Sequence, residues 1–356
     1  MKHLLLSGFI CLGTLMNIHA QTIDDIKAKT SQLLATFSEE QLSAAQLVFE
    51  DTSRTRWTNL PVGLAPRSGI RFGELSEVSR IALHELLTTI LSSQGYLKTT
   101  SIMMLDDILN QIFAEANERG IVPDEALEQI SRLQWDFENY YLTFWNTPNT
   151  EIPWGFKLEG HHLSLNLTAV GNDFTLNPLF VGSDPHVVPI TKYAGLKVLS
   201  NEEEYAFELL NLLTEDQKDV AILSEEVPGD IITNPEGPNR IDEYYGINAS
   251  EFNEQQKAAL MRLIMEYVNN LEHEISHEFS VKIQSSGLDE VYFAWIGSQE
   301  PKDRHYYLIN APDFMIEYDN AGGFPHNGNH IHAIWRDKAN DFGEDILRKH
   351  YSEHDH

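Results

Sequence analysis

Thiols are almost missing from this chain. Its 356 residues include one cysteine, Cys11, and that residue lies in the N-terminal leader described below. The rest of the chain can therefore form no disulfide and no thiolate metal site, and lacks a nucleophilic thiol. Cations are scarce as well. Lys and Arg total 25 against 54 Asp and Glu, for a formal net charge of −29. Nucleic acids and anionic membranes need clustered cations, so neither is expected as a partner. Beyond the leader no apolar run is long enough for a membrane span, and no insertion is expected. No internal repeat and no low-complexity stretch is visible.

The first twenty residues read as a secretory signal peptide. Lys2 and His3 form a short basic start, Leu4 to Leu15 is apolar, and Ala20 is the small residue before cleavage, which leaves Gln21 first. Ile10 stands before Cys11, where a lipoprotein signal needs a small residue. The expected location is periplasmic or secreted, in a Gram-negative-type envelope.

The expected organisation is a leader over 1–20 and a single domain over 21–356. Its first part, 21–150, reads as helical, and 151–356 as mixed. Ile23, Ile26, Leu33 and Leu34 recur at helical spacing, Ser38-Glu39-Glu40-Gln41 resembles a capping box, and helices are expected from Leu75 to Leu91 and from Ser101 to Arg119. Pro123 opens a further one. Phe156 to Glu159 and His162 to Leu167 alternate like strands. Glu202 to Glu225 returns to helix, and Asn253 to Phe279 reads as one long amphipathic helix. Strands are expected at Val291–Ile296, His305–Ile309, Phe314–Tyr318 and His330–Trp335, and a last helix is capped by Asp341. The fold class is α+β: a helical N-terminal part packed against an antiparallel sheet formed mainly by the second half.

His273-Glu274-Ile275-Ser276-His277 spells HExxH, the signature of zinc proteases. On a helical wheel, however, both histidines fall opposite the apolar stripe of their helix, towards water. A protease is therefore the third reading.

The stronger constellation lies on strands. In Gly160-His161-His162-Leu163-Ser164-Leu165-Asn166, strand alternation puts His162, Ser164 and Asn166 on one side. In Asn329-His330-Ile331-His332, followed by Trp335, Arg336 and Asp337, the two histidines and Arg336 share a face. Histidines two apart on a strand stand about 7 Å apart, and one metal ion can bridge them. His162, His330 and His332 are the expected ligands of a divalent transition metal with an open position, zinc first, with copper or iron as alternatives. His161, Arg336, Asp337 and Asp341 are candidate catalytic groups, with Asp337 as a carboxylate that orients a histidine. Ser164, Asn166, Arg56 and Trp335 are candidate substrate contacts.

The chain resembles the bacterial and fungal family known as domain of unknown function 3500. The resemblance covers nearly all of the mature sequence. It rests on Arg56-Trp57 with Pro61, Leu91 to Tyr96, Trp154-Gly155, Gly160 to Asn166, Pro178 to Gly182 with Pro185, Phe293 to Gly297, Asn329 to His332, Trp335 to Asp337, Asn340 to Gly343 and His350-Tyr351. It implies one long domain and singles out the histidine motifs without supplying a reaction. The expected function is an exported metal-dependent enzyme, most simply a hydrolase, acting on a small-molecule or carbohydrate substrate. The alternative is a non-catalytic periplasmic ligand-binding protein.

Overall fold

A computed structural model describes residues 22–148 and 151–353. The leader and the terminal His354-Asp355-His356 lie outside these residues. The architecture is α+β, as expected. One mixed, mostly antiparallel sheet carries helices on one face and long loops on the other.

In the first part, α1 spans 22–34 and α2 spans Glu39–Ala45, opened by the Ser38/Gln41 capping box. β1 (Gln46–Leu47) and β2 (Ile70–Arg71) flank a loop. α3 (Glu77–Ile90) is capped by Ser76. α4 (Ser93–Glu118) starts well before Ser101, because Ser92 caps it by accepting from the amide of Gly95. α5 (Asp124–Ser131) follows. A meander comes next: β3 (Tyr141–Trp145), β4 (Trp154–Gly160), β5 (Leu163–Val170) and β6 (Asp173–Ser183). β3 falls inside the span read as helical, since its aromatic residues carry a weak periodicity. β6 had no alternating signal because nearly all of it is buried on both faces.

The expected helix from Glu202 to Glu225 is two helices and a strand: α6 (Ser200–Leu212), α7 (Glu215–Ala221) and β7 (Ile222–Ser224). A second capping box, Thr214/Gln217, makes the break. After β8 (Ile247–Asn248), the helix expected over Asn253 to Phe279 is also two, α8 (Glu254–Val268) and α9 (His273–Ser286). A second meander closes the sheet: β9 (Tyr292–Gly297), β10 (His305–Asn310), β11 (Phe314–Gly322) and β12 (His330–Asp337). α10 (Glu344–Glu353) ends the described chain.

These elements repeat. α1-α2-β1-β2-α3-α4 and the first meander match α6-α7-β7-β8-α8-α9 and the second. The sheet order β1-β3-β4-β5-β6-β12-β11-β10-β9-β7 reads the same from either end. β1 and β7 are the parallel additions, and β2 and β8 the short antiparallel ones. An approximate two-fold axis passes between β6 and β12. Where the helices cross it, reciprocal bonds form: Ser92 N donates to Asn270 O and Glu272 N to Ile90 O, both at 3.2 Å. Leu91 bridges Leu271, and α4 comes so close that a Cβ on Gly95 would stand 2.0 Å from Asn270 O. Matching bonds recur at the hairpins, Gly182 N to His162 O and Lys338 N to Asp313 O. A repeat was thus missed in the sequence. The two copies share element order, sheet pairing and several helix caps, as in Ser38/Gln41 against Thr214/Gln217, while lengths differ, as in α4 against α9.

The core lies between sheet and helices. Leu163, Leu165, Leu167, Ile331, Ala333 and Trp335 face it, with Leu86, Leu87, Leu260 and Ile264 from the helices. The opposite sheet face mixes polar side chains with small apolar clusters. Loops 51–69 and 228–246 cover it, pinned by a small cluster of Trp57, Phe180, Ile231, Ile334 and Phe342.

Candidate metal centre

The two histidine motifs meet on the loop-covered face. His161 and His162 are the turn of the β4–β5 hairpin rather than part of β5. His162 has φ +59°, so its ring leaves the alternation that Ser164 and Asn166 follow. The turn carbonyl is held by Gly182 of β6 at 2.7 Å, and Gly182 pairs with His332 of β12. A one-residue register thus brings repeat one's hairpin onto repeat two's last strand. Bare Gly182 leaves room for the ring: a Cβ there would stand 2.8 Å from His162 Cδ2.

Three Nε2 atoms converge. Those of His162 and His330 are 2.7 Å apart, and those of His330 and His332 are 3.1 Å apart. One ligand atom from each of the three residues lies within 4.8 Å of the other two. Imidazoles around one tetrahedral ion with bonds of about 2.0–2.1 Å would stand roughly 3.3 Å apart.

Carboxylates stand behind the rings. Asp230 Oδ1 accepts from His332 Nδ1 at 2.7 Å, and Asn59 donates to its other oxygen at 2.8 Å. This fixes the His332 proton on Nδ1 and turns a lone pair on Nε2 towards the centre. Asp184 Oδ2 lies 3.8 Å from His330 Nδ1. Beside them, His161 packs against His162 with centroids 3.6 Å apart and the rings tilted by 36°. His161 Nδ1 lies 2.9 Å from Asp106 Oδ1, and Tyr140 donates to Asp106 Oδ2 at 3.1 Å.

The electrostatics favour neutral rings at His162 and His330. Burial, then the charges of His161, His330 and His332, push His162 well below the usual imidazole range. Burial and the neighbouring His332 and His161 do the same to His330. Burial lifts Asp184 to about 7. It also lifts Asp319, the cross-strand neighbour of His332, to about 8, with the charge of Asp230 adding to the effect. Burial opposes ionisation of Asp230, but the bonds from His332 and Asn59 outweigh it and hold Asp230 low.

Four residues predicted from sequence are placed elsewhere. Arg336 is 1% exposed. It pairs with Asp341 at 2.7 Å and donates to the carbonyl of Thr233 at 3.1 Å. Asp341 is therefore the partner of Arg336 rather than the cap of the last helix. Asp337 accepts from Ala339 N and bonds to no histidine among the described residues; Asp230 holds His332. Trp335 is buried in the core against Phe314 and Phe279.

Ser164 and Asn166 are buried and bonded to each other, and Asn166 also donates to the carbonyl of Pro178. Arg56 is exposed, and its carbonyl accepts from buried Lys157. The HExxH histidines are exposed on α9. The helix breaks at 269–272, so the wheel drawn for one continuous helix does not apply, but both side chains are exposed as expected.

Sequence reading missed Asp230, Asn59, Asp184 and Asp106. Asp230 sits in Pro228-Gly229-Asp230, which signals only a turn. Its placement depends on Glu317, which accepts from the amides of Ile232 and Thr233 at 2.6 and 3.1 Å, and on the anchor from Arg336.

Among curated proteins and among solved structures, nothing matches this chain. The family model described as protein of unknown function (DUF3500) matches residues 19–344, which include every element of both repeats and of the histidine centre; the chain belongs to that family.

Proposed function

We propose that this protein binds a divalent transition metal through His162, His330 and His332 and uses it as a metal-dependent enzyme, most simply a hydrolase. One observation carries the reading. Three Nε2 atoms meet while a carboxylate holds the Nδ1 proton of His332, so at least one bare lone pair faces the other two rings. A cation relieves that arrangement. Sulfur ligands are missing, and neutral imidazoles suit zinc, copper or iron. Zinc held by His162, His330 and His332 would supply water of lowered pKa for hydrolysis.

The remaining roles follow from position. Asp230 orients His332, and Asn59 orients Asp230. His161, backed by Asp106 and Tyr140, packs against His162 and is the candidate base. The substrate is a small molecule or a carbohydrate. The leader reading places the protein in the periplasm or outside the cell, where a site free of cysteine is not exposed to thiol oxidation.

The test is direct. Protein lacking the His-rich tail is stripped with a chelator, reloaded with zinc or copper, and weighed by native mass spectrometry. One ion per chain is expected, and loss of that ion in His332→Ala with an unchanged fold. The same uptake in the His162/His330/His332 triple alanine variant would sink the proposal.

A further inference from the structure

Loop 51–69 brings Asn59 to the histidine centre, and another side chain of the same loop holds it there. Arg67 donates from Nη1 to the carbonyl of Ala65 at 2.6 Å. From Nη2 it donates to the carbonyls of Thr58 at 3.0 Å, Leu60, and Gly160 at 3.1 Å. Acids outnumber bases two to one in this chain, yet among the described residues no carboxylate pairs with this guanidinium. Its Nε is buried and unbonded, so the four carbonyls are what the fork holds.

Three of these carbonyls bear on the centre. Thr58 and Leu60 are the two chain neighbours of Asn59. Their carbonyls converge on one nitrogen, which curls the backbone around Asn59 and aims its side chain. Asn59 Nδ2 then donates to Asp230 Oδ2 at 2.8 Å and stands 3.4 Å from His332 Nδ1. Gly160 ends β4 and directly precedes His161-His162, the turn that presents His162. The same nitrogen therefore holds the base of the His162 turn and both flanks of the residue that braces Asp230 and His332. His162 and His332 come from different repeats, and Arg67 is bonded to the supports of both without a hydrogen bond to either ring among the described residues.

The second repeat makes the corresponding tie in another way. Asn310 ends β10 as Gly160 ends β4. Its side chain donates to the carbonyls of Ile241 and Glu243 at 3.2 and 2.9 Å, so a neutral amide on the strand holds loop 228–246. In the first repeat the strand residue is glycine, and the loop supplies the donor. A guanidinium carries five N–H groups where an amide carries two, and its bonds are charge-assisted. The repeat that carries the His162 turn has the stronger tie.

We infer that Arg67 is a positioning residue of the histidine centre: one guanidinium fixes the His162 turn relative to the Asn59–Asp230–His332 chain, and so sets metal geometry and affinity without touching the ion. The consequence for metal rests on the metal reading above; the consequence for the His332 ring does not.

The experiment therefore reads both. Long-range proton–nitrogen correlation spectra of the histidine-labelled mature chain, stripped with a chelator, report the tautomer of each ring. The wild type should show the His332 proton on Nδ1, protected from exchange with water. Arg67→Met should lose that protection. On titration with cobalt it should bind about tenfold or more weakly, as expected for a lost outer support, with shifted visible absorption bands. Arg67→Lys keeps the charge, but an ammonium lacks the fork that spans the carbonyls. It too should lose the His332 protection, with a smaller loss of cobalt affinity. Arg80→Met releases Gly73 and Glu138, a comparable tie in the same part of the chain, and should change neither signal. A wild-type His332 signal in the Arg67 variants, even with a lowered urea midpoint, would overturn the inference; if Arg67→Met does not fold, Arg67→Lys alone decides. A wild type that takes up no cobalt would sink the metal reading instead, and the His332 signal would still decide the role of Arg67.

Discussion

Asp230 Oδ1 lies 2.7 Å from His332 Nδ1, although the two residues are 102 positions apart in the chain. The contact joins the long loop of the second repeat to its last strand, and Asn59 from the first repeat braces it. Replacing Asp230 with Asn removes the charge that fixes the ring's tautomer while keeping the shape. Metal affinity at the three-histidine centre should fall by about 10–100-fold, with the fold intact. Competition against a chromophoric chelator measures this. Unchanged affinity would show that Asp230 plays no part in holding the metal.

Arg336 and Asp341 look catalytic in sequence because they follow the HxH motif. In the fold they clamp the Thr233 loop from inside. Arg336→Met strands a buried carboxylate, and the expected loss is about 3–5 kcal/mol of stability, read from urea unfolding. Asp341→Asn keeps a hydrogen-bond acceptor and should cost less. A variant as stable as the wild type but inactive would return Arg336 to the chemistry.

The strand-borne histidines were legible because two local patterns, an HxH repeat and a strand pair, survive in the sequence. The same alternation failed at His161–His162, where a turn residue with positive φ replaced a strand residue. Nothing local could reveal Asp230, Asn59 or Asp184, since turn residues of this kind are common and tertiary contacts alone select these. The long helices were read correctly in their interiors and wrongly at their joints. Thr214 and Glu272 restart a helix two and four residues after the last one's end, too short an interruption for the apolar period to show. The duplication stayed hidden for a related reason: it lies in element order and strand pairing, which no local pattern displays.

Trp335 offers a clean separation of core from site, because it shares β12 with His330 and His332 but points the other way. It is 1% exposed, stacked on Phe314 with centroids 5.2 Å apart and edge-on to Phe279. Trp335→Ala should cost about 3–5 kcal/mol and leave metal stoichiometry unchanged in the folded protein. Thermal unfolding and metal content, measured on one sample, decide between this and a substrate contact.

The HExxH pair on α9 is a built-in control. Its ring centroids are 6.5 Å apart and both side chains face water. His273→Ala and His277→Ala should leave the one-ion stoichiometry as it is. Loss of the ion in either variant would move the metal from the sheet to the helix.

Five tyrosines tie stability to alkaline pH. Burial raises Tyr140, Tyr267, Tyr306, Tyr307 and Tyr318 well above the usual phenol value near 10. Asp106 adds to the effect at Tyr140, Glu317 at Tyr306 and Glu203 at Tyr318; Tyr267 and Tyr307 share a hydrogen bond of 2.5 Å. For an acid whose folded value lies above its unfolded one, the folded state keeps a proton that the unfolded state releases. Below about pH 10 the contribution is complete, and it is lost as pH rises from there towards the folded values. The urea midpoint should therefore hold steady up to about pH 9 and fall steeply beyond about pH 10. Tyrosinate absorbance from these five should appear together with unfolding rather than ahead of it. Gradual ionisation with the far-ultraviolet signal intact would show that these rings reach water in the native state.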